Sequence, residues 1–96
     1  MIPFVSVIVP VRNEEKYIRA ALDSILYGDF SHDRLEVLVV DGMSQDGTRF
    51  VIEEYTQKFP VVRLVDNVRQ SAAAAMNVGI RIARGEIVVR VDAHAS

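Results

Sequence analysis

The segment Glu86-Ile87-Val88-Val89-Arg90-Val91-Asp92-Ala93-His94 contains the pattern that decides the fold of this chain. A short run of β-branched residues predicts a strand. The near-continuous apolar character of a run upstream, residues 5–9, is typical of a strand covered on both faces, as in a parallel sheet. An acid and a histidine directly follow the run at 86–91, and both side chains can bind a divalent metal ion. The segment therefore predicts an apolar strand with two candidate metal ligands, Asp92 and His94, at its carboxyl end.

Three similar runs occur upstream, and residues at helical spacing follow each of them. The predicted strands cover residues 5–9, 36–40, 61–65 and 86–91. The predicted helices follow Asn13 as far as Gly28, span residues 47–58, and span residues 71–84. The chain thus alternates strand and helix three times and closes on a fourth strand.

Particular residues are expected to define the ends and the buried faces of these elements. Pro10 is expected to end the first strand. Asn13 is expected to cap the first helix and Asp46 the second. The residues expected to face the core are Tyr17 in the first helix, Phe59 in the second, and Met76, Gly79, Ile80 and Ala83 in the third.

This alternation predicts an α/β fold with a parallel sheet and right-handed crossovers. In such sheets ligands bind outside the carboxyl ends of the strands, at a point where the strand order reverses. We therefore expect the residues that follow the four strands to meet at one edge. They are residues 10–14, 41–46, 66–70 and 92–94.

Composition excludes several classes of protein. With 96 residues, of which 50% are hydrophobic and 25% charged, the chain has the length and composition of one globular domain or part of one. A net charge of −2 argues against a nucleic-acid partner held by bulk charge. The absence of cysteine excludes disulfides and thiolate zinc sites. There is no basic leader and no apolar run near the ~18 residues of a membrane span, so a cytoplasmic location is expected.

The candidate ligands also have structural interpretations, and spacing alone does not choose between them. Asp92 and His94 fit a shared divalent cation; alternatively, Asp92 caps a turn and His94 is solvated. Asp41 fits a contact with the base or ribose of a ligand, or an Asx turn with Gly42.

Three charged residues near the ends of the first and third strands also have both a functional and a structural interpretation. Glu14 fits a binding site, or a helix start where the dipole stabilises an acid. Arg12 and Arg69 fit contacts with phosphate oxygens, or are ordinary surface arginines.

Common nucleotide and hydrolase motifs are absent from the sequence: there is no G-x-G-x-x-G after the first strand, no P-loop and no nucleophile elbow. A flavodoxin-like binding or receiver domain is the alternative from another class. A receiver site needs a lysine at a late strand end, whereas the two lysines here, Lys16 and Lys58, lie in predicted helices. A structural module that has lost catalysis is a third possibility.

Four segments, taken in order, resemble the signatures of glycosyltransferase family 2. They are residues 5–15 (VSVIVPVRNEE), 39–48 (VVDGMSQDGT), 75–86 (AMNVGIRIARGE) and 92–94 (DAH). The Asp-Ala-His variant after Arg90-Val91 is most similar to succinoglycan-type exopolysaccharide glycosyltransferases. The resemblance implies a three-layer, Rossmann-like GT-A half-domain with about four parallel strands and helices on both faces. Residues 1–96 would be its nucleotide-sugar-binding part, truncated just after the D-x-D-like motif.

The resemblance also implies roles for particular residues. The positions implied to bind the nucleotide sugar are Pro10, Arg12, Glu14, Asp41, Arg69, Gln70, Asp92 and Ala93. Asp92 and His94 would hold Mg²⁺ or Mn²⁺ on the diphosphate. Three positions depart from the family pattern: Arg12 replaces a frequent aromatic, Gly42 a second acid, and His94 the final acid of the D-x-D motif. The neutral imidazole makes the site less negative and its metal affinity dependent on pH.

The implied reaction is inverting, metal-assisted transfer of a sugar from a nucleotide-diphosphate donor to an acceptor hydroxyl. The acceptor would be a glycan or a lipid-linked glycan, in exopolysaccharide or other cell-surface synthesis, and the full-length protein would act at the inner face of the membrane. The catalytic base is expected downstream of His94, so residues 1–96 are expected to be inactive by themselves. An open edge at the last strand is expected to promote self-association.

Overall fold

The computed structural model of the chain describes residues 4–94, which form a four-stranded sheet and three α-helices. In chain order the elements are β1 (Val5–Val11), α1 (Ile18–Leu26), β2 (Leu35–Asp41), α2 (Thr48–Lys58), β3 (Val62–Asp66), α3 (Ala72–Ile82) and β4 (Ile87–Arg90). A short 3₁₀ turn, His32–Arg34, precedes β2. Within the described residues, no helix has both the length and the apolar character of a membrane span.

All the neighbouring strands are parallel, and their order is β3-β2-β1-β4. The chain first moves outward from β1 to β3 and then returns to place β4 on the free side of β1. Strand order therefore reverses between β1 and β4, which is where such sheets bind ligands. The predicted α/β class with a parallel sheet of about four strands is confirmed.

Helices cover both faces of the sheet, as the pattern predicted. Val7 and Val9 of β1 pack in one buried cluster with Leu22 of α1 and Ile52 of α2. Ile8, on the opposite face, packs in a second cluster that includes residues of α3. The near-continuous apolar runs of β1 and β2 follow directly from burial on both faces.

Small residues allow α3 to lie close against the sheet. A Cβ atom at Gly79 would stand 2.7 Å from Cγ2 of Ile8, which is closer than side chains pack. Ala75, one turn earlier, is also buried. The expectation that Ile80 faces the core is wrong, because it lies about 100° around the helix from Gly79 and is 55% exposed.

Pro10 does not end β1, because the strand continues through it to Val11. Ile8 directs its carbonyl to the β4 side, where it accepts from the N–H of Val91. Residues two apart in a strand direct their backbone groups to the same side, so the backbone nitrogen of Pro10 also faces the β4 side. Pairing between β1 and β4 ends at Ile8, however, before Pro10 is reached. The missing N–H therefore removes no ladder hydrogen bond.

The start of α1 was also predicted wrongly. The helix begins at Ile18 after Tyr17, and no side chain caps it. Tyr17 is 43% exposed and is not a core residue.

Asp46 is not the N-cap of α2, because Gly47 occupies that position without a capping side chain. Asp46 lies one residue earlier, and its Oδ1 accepts from the N–H of Thr48, the first residue of the helix, at 2.9 Å. Phe59, as expected, packs against the core.

A buried carboxylate joins three parts of the chain at the amino edge of the sheet. Glu36 in β2 is 2% exposed. Its Oε2 accepts from the Ser6 hydroxyl at 2.6 Å and from the N–H of Arg84 at 2.7 Å. The Ser6 hydroxyl oxygen in turn accepts from the N–H of Gly85 at 2.8 Å. The turn between α3 and β4 is thereby fixed to β1 and β2.

The network determines both the residue at the turn and the ionisation of Glu36. A Cβ atom at Gly85 would stand 2.6 Å from the backbone N of Ser6, so only glycine fits at this point. Burial acts to raise the pKa of Glu36. The hydrogen bonds from Arg84 and Ser6 and the positive charge of Arg84 outweigh burial, and the pKa lies below its ordinary value of 4.5.

Replacing Glu36 by glutamine is expected to lower the free energy of unfolding by about 1–3 kcal/mol at pH 7, because hydrogen bonds to a buried ionised group are lost. The lowered pKa means that the stabilisation is present above the unfolded value near 4.5 and is lost as the pH falls through the folded value. Urea unfolding at several pH values measures both effects.

The matched control is Glu53→Gln, which changes an exposed glutamate on α2. The Glu36→Gln and wild-type stabilities should converge as the pH falls through the lowered pKa of Glu36, whereas the control should follow the wild type throughout. A constant difference between Glu36→Gln and the wild type at all pH values would contradict the assignment.

Candidate functional site

A cleft of about 160 Å³ lies at the carboxyl edge of the sheet, beside the ends of β1 and β4. Segments that follow β1, β3 and β4 contribute to it, together with the first turns of α3. The lining residues are Pro10, Val11, Arg12, Glu14, Asn67, Gln70, Ser71, Ala72, Ala75, Arg90, Asp92, Ala93 and His94. The cleft thus occupies the reversal point of the strand order.

Most of the residues predicted from the sequence come together here. Seven line the cleft: Pro10, Arg12, Glu14, Gln70, Asp92, Ala93 and His94. Asp41 and Arg69 do not. Arg69 lies in a separate groove with Asn77 and Arg81, on the far side of the loop after β3.

Asp92 is half-exposed at the mouth of the cleft and forms an ion pair with Arg90. The Nε and Nη2 atoms of Arg90 both lie 2.9 Å from Oδ1 of Asp92. The arginine therefore holds the carboxylate by one oxygen. No hydrogen bond from residues 4–94 reaches Oδ2.

His94 is held by its ring face and lies beside a second carboxylate. The imidazole stacks on the ring of Tyr17 with centroids 4.0 Å apart and planes at 15°. Its Nδ1 lies 3.8 Å from Oε2 of Glu14. That oxygen is buried and accepts no hydrogen bond within the described part of the chain.

Asp41 is fully buried behind the cleft, and both of its carboxylate oxygens have partners. Oδ1 accepts from the hydroxyl of Ser44, and Oδ2 accepts from the N–H of Ser44 at 2.9 Å. Arg49 reaches Oδ2 with Nη1 and Asp66 with Nη2, each at 2.8 Å. Hydrogen bonds to Asp41 and Asp66 raise the pKa of Arg49. Asp41 therefore joins β2, its following loop and α2, and Arg49 extends the link to β3.

The loops after β1 and β2 are locked together by reciprocal hydrogen bonds. The N–H of Asn13 donates to Oγ of Ser44 at 2.7 Å, and the N–H of Gln45 donates to Oδ1 of Asn13 at 2.8 Å. The N–H of Gly47 donates to Oε1 of Glu15 at 2.9 Å. Asn13 and Glu15 thus stabilise the neighbouring loop instead of the start of α1.

Within residues 4–94, three residues other than glycine adopt positive φ, and each follows a strand at this edge. They are Asn13 at 54°, Met43 at 60° and Gln70 at 69°. Such backbone is disfavoured outside glycine, is better tolerated by asparagine, and clusters at functional sites. Gly42 makes the packing possible, since a Cβ there would stand 3.0 Å from the carbonyl oxygen of Gln70.

The sequence did not single out Asn67, which lines the cleft and is 2% exposed. Its Nδ2 donates to the carbonyl of Ser71 at 2.9 Å and so shapes the entry into α3. The feature of the sequence that could have indicated Asn67 is its position directly after Asp66, the acidic residue that ends β3. Arg90 was missed because its side chain returns toward Asp92 from within β4.

These features define a Rossmann-like α/β domain with a charged ligand cleft at the point of strand reversal. A family model for glycosyl transferase family 2 matches residues 6–96. The chain belongs to this family.

Solved structures and curated relatives agree with that assignment. A mannosyltransferase from Pyrobaculum calidifontis, in complex with GDP-Man and Mn²⁺, is 42% identical with a TM-score of 0.89, over 97% of this chain and 28% of that one. The structure of TarS residues 1–349 from Staphylococcus aureus, in complex with UDP-GlcNAc, is 36% identical with a TM-score of 0.83. The match covers 94% of this chain and 26% of that one. Glycosyltransferase AglE from Haloferax volcanii is 35% identical over 99% of this chain and 32% of its own length. The chain therefore spans about a third or less of these relatives, and its fold is of the GT-A type.

Replacing Arg49 by methionine is expected to lower the free energy of unfolding by about 1–3 kcal/mol, because the buried Asp41 carboxylate loses the hydrogen bond from its cation and keeps only those from Ser44. A double-mutant cycle with Asp41→Asn in urea unfolding measures the coupling. Arg34→Met, at an exposed position in the 3₁₀ turn, is the control. Additive effects of Arg49→Met and Asp41→Asn would contradict the link.

Proposed function

We propose that this chain binds the donor of a glycosyltransferase that moves a sugar from a nucleotide diphosphate to an acceptor hydroxyl with inversion. The observation that carries the proposal is the cleft itself. It places Arg12, Glu14, Asp92 and His94 together at the reversal point of a GT-A sheet. Two relatives with this fold bind GDP-Man and UDP-GlcNAc.

The residues of the cleft suit the parts of a nucleotide sugar. The planar guanidinium of Arg12 is held by its Nε donating to the carbonyl of Gly42 at 3.1 Å, and such a group stacks on a base. The buried Oε2 of Glu14 is an acceptor for a ribose hydroxyl or base N–H. Ser71 begins α3 at the cleft wall, and a helix start favours negative charge.

Asp41 and Arg69 have indirect roles in this proposal. Asp41 supports the loop that carries Arg12 through the contact between Gly42 and Arg12. Arg69 lies outside the cleft, so its contribution to donor binding would come through the loop that also carries Gln70.

The metal-binding side chains of the cleft fit a divalent metal ion that the protein coordinates only in part. No group of three metal-binding side chains occurs within residues 4–94. Asp92 and His94 nevertheless supply a carboxylate oxygen and an imidazole nitrogen at one rim, and Mg²⁺ is often bound by one or two protein groups plus substrate phosphates. A bound Mg²⁺ or Mn²⁺ would offset the charge that develops on the leaving diphosphate. Mn²⁺ suits a set that includes imidazole.

Several finer features are part of the proposal. The acceptor is a glycan or lipid-linked glycan, and the pathway is exopolysaccharide or other cell-surface synthesis. The succinoglycan-type enzymes remain the proposed nearest kind, although the relatives include varied members of the family, such as a poly(ribitol-phosphate) N-acetylglucosaminyltransferase. The site is proposed to work in the cytoplasm, at the inner membrane face. Residues 1–96 supply donor binding, and we assign the catalytic base to none of them.

Calorimetry with GDP-mannose and UDP-N-acetylglucosamine tests the proposal in the presence and absence of Mn²⁺. We expect one of the donors to bind with Mn²⁺ and to bind less tightly without it. Asp92→Ala should lower the Mn²⁺-dependent affinity for the nucleotide sugar at least about tenfold, or about 1.4 kcal/mol, because it removes one of the two proposed protein ligands of the metal.

Asp29→Ala is the matched control, since Asp29 is an exposed acid in the loop after α1. It should leave donor binding unchanged. Absence of binding by the wild type with either donor, or equal effects of the two substitutions, would overturn the proposal.

We also propose that the chain self-associates through β4. The strand is at the edge of the sheet, and Ile87, Val88 and Val89 are 40–45% exposed. An unpaired apolar edge of this kind can pair with a second copy.

Sedimentation velocity at increasing concentration is expected to show oligomers of the wild type. Val88→Lys should restore a monomer, because a charged edge opposes strand pairing. Val68→Lys, at an exposed valine in the loop after β3, is the control. A wild type that remains monomeric at high concentration would contradict this proposal.

A further inference from the structure

The stack of Tyr17 on His94 is a contact that donor binding does not by itself explain. Tyr17 precedes α1, whereas His94 follows β4, so the two rings come from distant parts of the sequence. The ring planes are nearly parallel at 15° and 4.0 Å. The sequence pattern had placed Tyr17 in the core, but 43% of it is exposed. Its described aromatic partner is the imidazole.

Glu14 lies on the Nδ1 side of the same imidazole. Its Oε2 is 3.8 Å from Nδ1, which is longer than a hydrogen bond but close enough for electrostatic attraction. This oxygen is buried and accepts no hydrogen bond from residues 4–94. A carboxylate beside Nδ1 favours the tautomer with the proton on Nδ1. Nε2 then carries the lone pair that can bind a metal ion.

We propose that Tyr17 and Glu14 are positioning residues for His94, and that they present its Nε2 to the divalent metal of the donor complex. The inference rests on the proposed function and specifies it further: it names the coordinating nitrogen and the residues that orient it. Tyr17 fixes the plane of the ring. Glu14, with Oε2 at 3.8 Å from Nδ1, favours the tautomer that leaves Nε2 free.

His94 needs such support because the sheet does not hold it. β4 ends at Arg90, four residues earlier, and the His94 side chain is 63% exposed. A free imidazole at this point would lose rotational freedom when it binds a metal. The stack restricts the ring beforehand, so less entropy is lost on binding. Residues that orient a metal-binding histidine typically change metal affinity by about 10–100-fold when they are replaced.

The test measures Mn²⁺ affinity of the whole chain by calorimetry at saturating GDP or UDP, whichever binds. Tyr17→Ala is expected to weaken Mn²⁺ binding about tenfold, whereas Tyr17→Phe keeps the ring and should bind Mn²⁺ as the wild type does. Glu14→Gln should also weaken Mn²⁺ binding. Tyr27→Ala, at a tyrosine that is 73% exposed and packs against Phe59, is the control and should have no effect.

A second readout identifies the nitrogen independently of affinity. Small amounts of Mn²⁺ should accelerate relaxation of both ring protons of His94, Hδ2 and Hε1, because both are attached to carbons beside Nε2. Coordination through Nδ1 would affect Hε1 far more than Hδ2. His32, whose Nε2 is 2.8 Å from the carbonyl oxygen of Leu26, is an internal reference that should remain unaffected.

The outcomes separate this inference from the proposed function. A wild type that binds neither nucleotide nor Mn²⁺ overturns both. Nucleotide and Mn²⁺ binding that is unchanged in Tyr17→Ala, or a preferential effect on Hε1, overturns the positioning inference and leaves donor binding intact. Loss of Mn²⁺ affinity in Tyr17→Ala but not in Tyr17→Phe, together with equal effects on the two ring protons, supports it.

Discussion

Glu36 is an ionised side chain buried in β2, and the position of β4 depends on its hydrogen bonds. Its carboxylate connects Ser6 of β1 to the backbone of Arg84 in the turn that leads into β4. Glycine at position 85 lets that turn approach β1 closely enough for the bonds to form. Burial of a charge is costly when its hydrogen bonds are lost, so the two bonds to Oε2 favour this arrangement of the turn. The buried Oε1 accepts no hydrogen bond within residues 4–94 and lies 3.5 Å from Nε of Arg84. Once the turn is fixed, β4 runs beside β1 and carries Asp92 to the reversal point.

A second set of polar contacts organises the opposite edge. Asn13 and Ser44 lock the first two loops to each other, and Arg49 connects Asp41 to Asp66. These two loops and the loop after β3 hold Asn13, Met43 and Gln70 at positive φ, a conformation that persists only where surrounding contacts determine it. Rigid loops present the cleft groups without much reorganisation on binding, which favours affinity. The apolar core positions the strands, and the polar network positions the ends.

Much of the fold was predictable because strand and helix periods in this sequence are strong and local. The runs of β1 and β2 have the apolar character of strands buried on both faces, and the four ordered segments indicated the family. The errors occurred where a contact distant in sequence decided the outcome. Asn13 bonds to the second loop and not to α1, Tyr17 packs against His94, and Ile80 falls outside the stripe of small residues that approaches Ile8.

The sequence by itself determined the α/β alternation, the parallel sheet and the convergence of polar residues at its carboxyl edge, because these follow from local periodicity and from the geometry of parallel strands. Only the tertiary structure decided which of those residues line the cleft and which lie elsewhere. It buries Asp41 behind Arg49 and Ser44, places Arg69 in another groove, and brings Glu14 and Tyr17 to His94. The physical reason is that side-chain pairing at this edge depends on strand order and loop packing, and neither is encoded in the spacing of residues along the chain.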